Sequence, residues 1–404
     1  MGTSRTTRLG RCKALVPALA LALATAACGG AGGSGQSAEG CTLTLGATGP
    51  MTGPSAAWGI AMAQSAQMAA WEANQRGGLK VGGKTCRVNV ETYDDLYTSN
   101  GAAAAMNKFA ADGIKFVIGP MGSPEVTGAK PVAARHGMLL MADSFARDAI
   151  GPKWPLTFHN GPGASVWAQP IIAEARKHYT INSVVTVAPD DQGGQDTAEV
   201  DAQAYQAAGV PVRDKVYYAR DTSDFASVAS RMLASHPDAV ETASTPPGNA
   251  GVLVKQLRQL GFRGPIGHLG GPGTEQIAQV AGGYPVLGDF YAYAPYNPDD
   301  SKIKQFQQEL RQALNADTQP NTPLWTPGAR LVLAAIEKAG TTDDVQAVAT
   351  ALRAMPLDDP MLGHGEWTGQ REFGINQEAS YPFYIQYYTG GQLQPYVQLS
   401  GVTG

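Results

Sequence analysis

The sequence predicts an α/β protein of two doubly wound lobes, each built on a mainly parallel sheet, joined by a hinge of several chain segments. Three observations carry this expectation. From residue 42 to about 290, short β-rich runs alternate with longer helical stretches, the pattern of repeated βα units that cover both faces of a parallel sheet with helices. The chain has 404 residues, more than one hydrophobic core usually spans, and its strand count fits two sheets of about four or five strands better than one of about ten. After Phe158-His159-Asn160-Gly161-Pro162-Gly163 the βα pattern restarts, and a tail beyond 290 completes both lobes, so the chain crosses between them more than once. The expected division is 41–160 plus 294–376 for one lobe and 161–293 plus 377–404 for the other.

The first 27 residues stand apart from this pattern. Arg5, Arg8, Arg11 and Lys13 precede the apolar run Ala14–Ala27, and Cys28 heads a Gly/Ser segment. This is the layout of a bacterial secretory signal peptide with the cysteine that lipoprotein processing acylates. Ala24-Thr25-Ala26 also fits the small-x-small rule of an ordinary signal-peptidase cut. The run is too short and too rich in alanine for a comfortable transmembrane span. Lipidation of Cys28 is expected, with 28–40 as a flexible tether whose twelve Gly-rich residues reach about 20 Å. A G-x-G-x-x-G match at Gly30, Gly32 and Gly35 has no strand before it and no helix after it, which excludes a dinucleotide site.

Charge and cysteine content narrow the partners. The four basic residues of 1–27 have no acidic counterpart there, so processing moves the formal charge from −4 to −8. That balance argues against nucleic acid and anionic membrane surfaces. Of four cysteines, Cys12 leaves with the signal and Cys28 is acylated, which leaves Cys41 and Cys86. Each precedes a predicted strand by one residue, and consecutive parallel strands of a βαβ unit commonly lie side by side, so a Cys41–Cys86 disulfide is expected in an extracytoplasmic setting.

Strands are expected at Thr42–Thr48, Arg87–Tyr93, Lys115–Gly119, Met138–Met141, Ser183–Ala188, Val212–Ala219, Ala239–Ala243 and Pro265–Leu269. Helices are expected between them at Ala56–Asn74, Ser99–Asp112, Pro124–His136, Ala164–Lys177, Asp196–Ala208, Phe225–Ser235 and Ala250–Leu260. Thr98 or Ser99 can cap the second of these helices and Ser223 the sixth. Gly77, Gly113, Gly137, Gly209 and Gly261 stand where helices end. Beyond 290 come helices at Ser301–Leu314, Pro327–Ala339 and Asp343–Ala354, then a β-rich end containing Tyr381–Tyr388.

Catalytic patterns are missing from the sequence. The six histidines, His136, His159, His178, His236, His268 and His364, have no metal-ligand spacing, and there is no G-x-S-x-G elbow or P-loop. Five Asp-Asp pairs begin at Asp94, Asp190, Asp299, Asp343 and Asp358, mostly at strand ends or helix starts, where caps and solvated loops account for them. No enzyme, metal or cofactor is expected. Three loops that leave strand carboxyl ends are more informative: Gly49–Gly59, Gly119–Pro124 and Ala142–Ala146. Doubly wound sheets bind ligands along that edge.

The run GPMTGPSAAWG leads into a helix ending at NQRGG, then ETYDD, FVIGPMGSPEV and, much later, VKQLRQLGFRGPI. This order over most of residues 42–400 resembles the type I periplasmic binding proteins, and more narrowly the Leu/Ile/Val-binding branch that feeds ABC importers. The resemblance implies a ligand held between two lobes, with a carboxylate bound by Ser123 and by the third loop at Ser144 and Ala146. It also implies an aromatic contact from Trp58; beside the resemblance, Phe145 and Trp325 are expected as further apolar contacts to the ligand's body. Where such proteins often carry a hydroxyl side chain, this chain has Ala146. Gly193 replaces a usual tyrosine, the tyrosine expected near Thr245 is missing, and His268 and Leu269 stand where an acid would meet an α-ammonium.

An unpaired buried ammonium is costly, so Asp143, Asp190 or Asp191 would have to substitute, or the ligand is a carboxylate or amide with an apolar body. On this reading, Gly193→Tyr with Leu269→Glu should restore amino-acid binding. The implied protein is a monomeric, lipid-anchored, extracytoplasmic substrate-binding protein, served by permease subunits and an ATPase on separate chains. The alternative is a ligand sensor for a signalling partner, because one fold serves both uses.

Overall fold

The computed structural model describes residues 41–401, so the expected signal peptide, the tether and Cys28 lie outside the described residues. The chain first lays down β1 (Cys41–Gly49), α1 (Ala56–Gln75), β2 (Leu79–Val81), β3 (Lys84–Asp94), α2 (Ser99–Ala111), β4 (Phe116–Met121), α3 (Ser123–Arg135), β5 (Leu139–Asp143) and β6 (Thr157–His159). It then builds α4 (Ala164–His178), β7 (Val184–Pro189), α5 (Gln192–Ala207), β8 (Val212–Tyr218), α6 (Ala226–Ala234), β9 (Ala239–Glu241), α7 (Pro247–Gln259), β10 (Ile266–His268), α8 (Thr274–Ala281), α9 (Tyr284–Leu287) and β11 (Phe290–Ala294). Next come α10 (Ser301–Leu314), α11 (Thr322–Ala339), α12 (Val345–Arg353), β12 (Leu357–Asp359), β13 (Gly363–Thr368), α13 (Gln370–Phe373) and β14 (Glu378–Ser380). The chain ends with β15 (Phe383–Thr389), β16 (Gln392–Leu393) and β17 (Val397–Leu399).

Two sheets result. The first has the order β12-β13-β14-β6-β5-β4-β1-β3-β2 and is parallel from β14 to β3. The second runs β16-β15-β11-β10-β9-β7-β8, parallel from β11 to β8, with β17 paired to β15. The chain passes between the sheets after β6, after β11 and after β14, which makes the two α/β lobes and their three-segment connection. By sheet membership, Ala294 and the segment 378–380 fall on the other side of the divisions drawn from the sequence. Ala294 ends a strand of the second sheet, and β14 pairs with β6 and β13 in the first.

Each sheet is buried on both faces, as parallel sheets require. In the first lobe, α1, α11 and α12 cover one face around Leu45, Met62, Trp325 and Ile336, and α2 and α3 cover the other around Phe109 and Val132. In the second, Trp167, Ile172 and Tyr205 of α4 and α5 pack one face, and Phe225, Leu253 and Ile277 of α6 to α8 pack the other.

Local chemistry explains the agreements and the differences. Thr98 accepts the N–H of Gly101 and caps α2, whose Ala102, Ala105, Met106 and Phe109 are buried at helical spacing. All five expected helix-ending glycines have positive φ. Ser223 does not cap α6; the N-cap position is Phe225, and Asp224 accepts the N–H of Ala226. Helix α5 starts at Gln192, four residues earlier than expected, because Asp191 accepts the N–H of Gly194 and carries two poor helix formers into the first turn. Helix α11 starts at Thr322 with Pro323 in its first turn, so Pro327 lies inside it and Trp325 is on the helix.

Cys41 and Cys86 face each other in register on β1 and β3 and form a disulfide; β3 starts at Lys84, so Cys86 lies inside the strand. Another tie is polar and buried in the second lobe. Glu241, at the end of β9, accepts the N–H of Ala243 and of Leu269 and the hydroxyl of Tyr205, so it fastens the loops that follow β9 and β10. Asp201 of α5 is buried beside it with both carboxylate oxygens unpartnered. Burial pushes both carboxyls up, Glu241 to about 7.

Two outcomes follow. Replacing both Cys41 and Cys86 by Ser should lower unfolding stability by about 2–4 kcal/mol in denaturant titration, because the 45-residue separation is no longer closed in the unfolded chain. The folded chain holds the Glu241 and Asp201 protons to higher pH than the unfolded chain does. The Glu241 part of that stabilisation is therefore full below about pH 4.5 and lost as pH rises through about 7, and the Asp201 part is lost as pH rises through that group's own raised value. Thermal melts should show Tm falling by a few degrees from about pH 5 to about pH 8, with a shallower slope in Asp201→Asn.

Candidate functional site

The carboxyl edges of the two parallel sheets face each other, and a small cavity lies between them. In the first sheet the strand order reverses direction between β1 and β4, and in the second between β7 and β9, so the following loops diverge and open a crevice in each lobe. The cavity is lined from the first lobe by Trp58, Tyr97, Met121, Gly122, Ser123, Asp143, Ser144, Phe145 and Trp325. The second lobe lines it with Pro189, Gly193, Arg220, Ser244, Gly270, Gly271 and Pro272. About 40 Å³ is open to the centres of water molecules. One water needs about 10–15 Å³, so the space suits a few waters or one compact molecule.

The first-lobe wall is held by short loops. Ser123 is the first residue of α3, directly after Gly122, whose φ of 104° turns the chain out of β4. The Ser123 hydroxyl accepts the N–H groups of Phe145 (3.2 Å) and Ala146 (3.1 Å) and the Ser144 hydroxyl (3.0 Å), which binds the loop after β5 to the start of α3. Asp94 accepts the N–H of Met51 and of Leu96 and the Thr52 hydroxyl, so it joins the loops after β1 and β3. Leu96 and Tyr97 both have positive φ, a strained turn that the neighbouring Asp95 secures by accepting the N–H of Tyr97. Asp143 accepts the Trp325 indole N–H at 2.7 Å. Burial pushes the Asp143 carboxyl up to about 6, against the opposing effect of that hydrogen bond.

The lobes are closed on one another. Trp58 Nε1 donates to the Pro272 carbonyl at 2.7 Å, Arg147 N–H to Asp196 at 3.0 Å and Gln192 to Asp148 at 3.2 Å. Arg220, after β8, crosses the cleft with donations to Glu125 at 2.9 Å and to the Tyr97 carbonyl at 3.1 Å, and it pairs with Asp191 of its own lobe at 2.7 Å. Its guanidinium also sits over the Tyr97 ring, 3.7 Å from the centroid. Burial pushes the Glu125 carboxyl up to about 7 in spite of Arg220.

Of the residues singled out from the sequence, Trp58, Ser123, Ser144, Phe145 and Gly193 line the cavity, as do Asp143 and Trp325. Ala146 is buried behind it and takes part through its N–H. Thr245, His268 and Leu269 do not line it. Leu269 packs in the second-lobe core, His268 is buried against Thr242 with burial pushing its pKa down to about 4, and Thr245 is fully buried beside β7. Ser244 and Gly270–Pro272, one to three residues away, form the wall instead. A Cβ on Gly193 would stand 2.5 Å from Ser123 Cβ and closer still to its hydroxyl. The Gly193→Tyr, Leu269→Glu pair therefore cannot rebuild a binding site in this closed form.

Tyr97 and Arg220 have no motif around them that would single them out; each reaches the cavity through a loop conformation and a contact between lobes. Among the described residues no group of His, Cys, Asp and Glu is placed to hold a metal ion. The Asp-Asp pairs serve as caps and ion-pair partners: Asp191, Asp300 and Asp344 cap helices, and Asp343 and Asp359 pair with Lys115 and Arg330.

Residues 42–392 match a family model described as periplasmic binding protein. The Leu/Ile/Val-binding protein BraC3 of Rhizobium johnstonii is 26% identical over 314 residues, covering 77% of this chain and 83% of the relative. The branched-chain amino acid transporter substrate binding protein LivJ of Streptococcus pneumoniae, solved with isoleucine, superposes with a TM-score of 0.74 at 19% identity over 89% of this chain and 99% of that one. A solute binding protein of an ABC transporter from R. palustris, solved with 4-hydroxybenzoate, superposes with a TM-score of 0.71 at 19% identity, covering 89% and 97%.

Gly193→Tyr should hold the lobes apart. Under any condition in which the wild-type chain scatters X-rays as the closed form, the variant is expected to show a larger radius of gyration with an unchanged far-ultraviolet circular dichroism spectrum.

Proposed function

Because the chain belongs to the periplasmic binding protein family, we propose that it is the extracytoplasmic substrate-binding component of an ABC importer and carries a small organic solute between its lobes. One observation carries this reading: a small cavity, lined by both lobes at the carboxyl ends of both sheets, is closed by hydrogen bonds that run from lobe to lobe. A solute that touches both walls favours the closed form by its additional contacts there. The closed surface is then what the permease recognises, and permease and ATPase are separate chains.

The solute's relation to the walls follows from their chemistry. The Ser123 hydroxyl, which accepts the N–H groups of Phe145 and Ala146 and the Ser144 hydroxyl, keeps its own proton to donate beside the start of α3, which suits a carboxylate or amide oxygen. Trp58, Phe145 and Trp325 suit an apolar or aromatic body. Relatives of this fold have been solved with isoleucine and with 4-hydroxybenzoate, and both have these two parts. The reading extends to a lipid anchor at Cys28, supported by the basic and apolar run before it. No helix among the described residues is long and apolar enough to cross a membrane.

The test is native mass spectrometry of the chain purified from its producing host, to identify a retained molecule, followed by a thermal-shift panel of amino acids, amides and aromatic acids. At least one compound should raise Tm in a concentration-dependent way. Ser123→Ala should weaken its binding by about tenfold or more. A chain that retains nothing and responds to no member of the panel would count against the proposal.

A further inference from the structure

We infer that a groove next to the cavity is a second binding site, which takes an uncharged molecule carrying an aryl ring and several hydroxyls, an aryl glycoside being the type. This goes beyond the solute-binding reading above and does not depend on it.

The groove shares one wall residue with the cavity, Pro272, whose carbonyl accepts the Trp58 indole N–H. Its first-lobe wall is the start of α1 at Ala56, Ala57 and Ile60 together with the segment Gln319–Asn321, and its second-lobe wall is built mainly from α8, the end of β11 and β15. Two wall residues also join the lobes: Gln276 donates to the Pro54 carbonyl at 3.3 Å, and the Tyr296 hydroxyl donates to the Pro320 carbonyl. About 780 Å³ is open to the centres of water molecules here, against about 40 Å³ in the cavity. Sites for drug-sized ligands span about 300–1,000 Å³, so the groove has room for a molecule of two rings.

Charge narrows the occupant. The lining contains one ionisable carboxylate, Glu275, and no Lys, Arg or His. Glu275 is exposed and makes no ion pair among the described residues. An anion would meet that carboxylate with no cation to neutralise it. A cation gains little from one exposed carboxylate, which water screens. An uncharged molecule fits best.

The polar groups that remain are phenols and amides. Tyr284, Tyr293, Tyr296, Tyr388 and Tyr396 line the groove, with side-chain amides from Gln276, Gln279, Gln319, Asn321 and Gln386. Such groups both donate and accept, as do the hydroxyls of a sugar. A wholly apolar occupant would leave them unpaired, at a cost. Tyrosine rings supply stiff amphipathic contact area for an aryl ring or for the C–H face of a pyranose.

Part of this polar surface is held ready. The Gln386 amide N–H groups donate to the hydroxyls of Tyr388 at 3.0 Å and Tyr396 at 2.7 Å, which leaves each phenol its own proton to donate. Tyr293 is 3% exposed, with its ring stacked on Trp167 at 3.9 Å, yet its hydroxyl makes no hydrogen bond among the described residues. A nearly buried phenol without a partner is costly, and a hydroxyl in the groove supplies one. Tyr284 is 43% exposed and stacks on Tyr388 with ring centroids 5.6 Å apart, which places a fixed aromatic face where an occupant can reach it.

Isothermal titration with phenyl β-D-glucopyranoside, arbutin and salicin, against the charged phenyl β-D-glucuronide, tests the inference. At least one neutral glucoside is expected to bind the wild-type chain with one molecule per chain, and the glucuronide to bind about fivefold or more weakly than it. Tyr284→Ala is expected to weaken that glucoside about fivefold or more, whereas Ser123→Ala in the cavity leaves its affinity unchanged. Gln279→Ala, at an exposed position of the wall, gives the same reading should Tyr284→Ala fail to fold. The inference is overturned if no neutral glucoside binds, if the glucuronide binds as tightly, or if the bound glucoside loses affinity in Ser123→Ala and not in Tyr284→Ala, which would assign it to the cavity. Self-association of the wild-type chain that Tyr284→Ala abolishes, without glucoside binding, would give the groove to a second copy and overturn it too. None of these failures touches the solute-binding reading, whose compounds are recognised by their dependence on Ser123.

Discussion

Arg220 is a cation held between the lobes, and the closed arrangement depends on it. Its guanidinium leaves the second lobe, lies over the Tyr97 ring and donates to Glu125, a first-lobe carboxylate with no exposure of its own. Removing one member of such a pair leaves the other buried without a partner, a loss of about 3–5 kcal/mol. Desolvating two charges offsets most of what their attraction returns, so the pair by itself gives little net drive to close. It specifies one closed geometry, and the contacts made by an occupant then tip the balance between open and closed.

That geometry needs the two lobes to meet more tightly than side chains usually allow. Gly193 makes this possible, because its missing Cβ is the space that the Ser123 side chain occupies from the opposite lobe. The result is an asymmetric site. Aromatic rings, hydroxyls and the Asp143 carboxylate come from the first lobe, whereas the second contributes Arg220, Ser244, two prolines and three glycines. The rigidity of the second wall comes from behind it, where buried Glu241 holds the loops after β9 and β10 through their N–H groups.

The sequence made most of the fold legible. Helical spacing over Ser301–Leu314, with Ile303, Phe306 and Leu310 buried, yields a helix with those same ends. The Cys41–Cys86 pairing also follows from it, because adjacent parallel strands bring their starts together. Less legible were the very short elements, such as β12, β14 and β16, which are stabilised by sheet partners distant in sequence rather than by a pattern of their own. The start of α11 was misread because Pro327 has the look of a first helical residue, yet it lies one turn inside.

At the site the division is sharper. Loops after β1, β4 and β5 could be found from their glycines, prolines and serines, because the carboxyl edge of a parallel sheet is where such loops must lie. Whether a residue in them faces the cavity or the core depends on one-residue differences in strand length and on which lobe packs against it. Those are long-range contacts, and for that reason Ser244 and Gly270–Pro272 stand where Thr245, His268 and Leu269 were expected. The sequence alone determined the two-lobed class, the disulfide and the first-lobe loops, since each follows from local periodicity and strand order. Only the tertiary structure decided that Arg220 bridges the lobes and that Gly193 touches Ser123, because each depends on atoms that meet only when the lobes close.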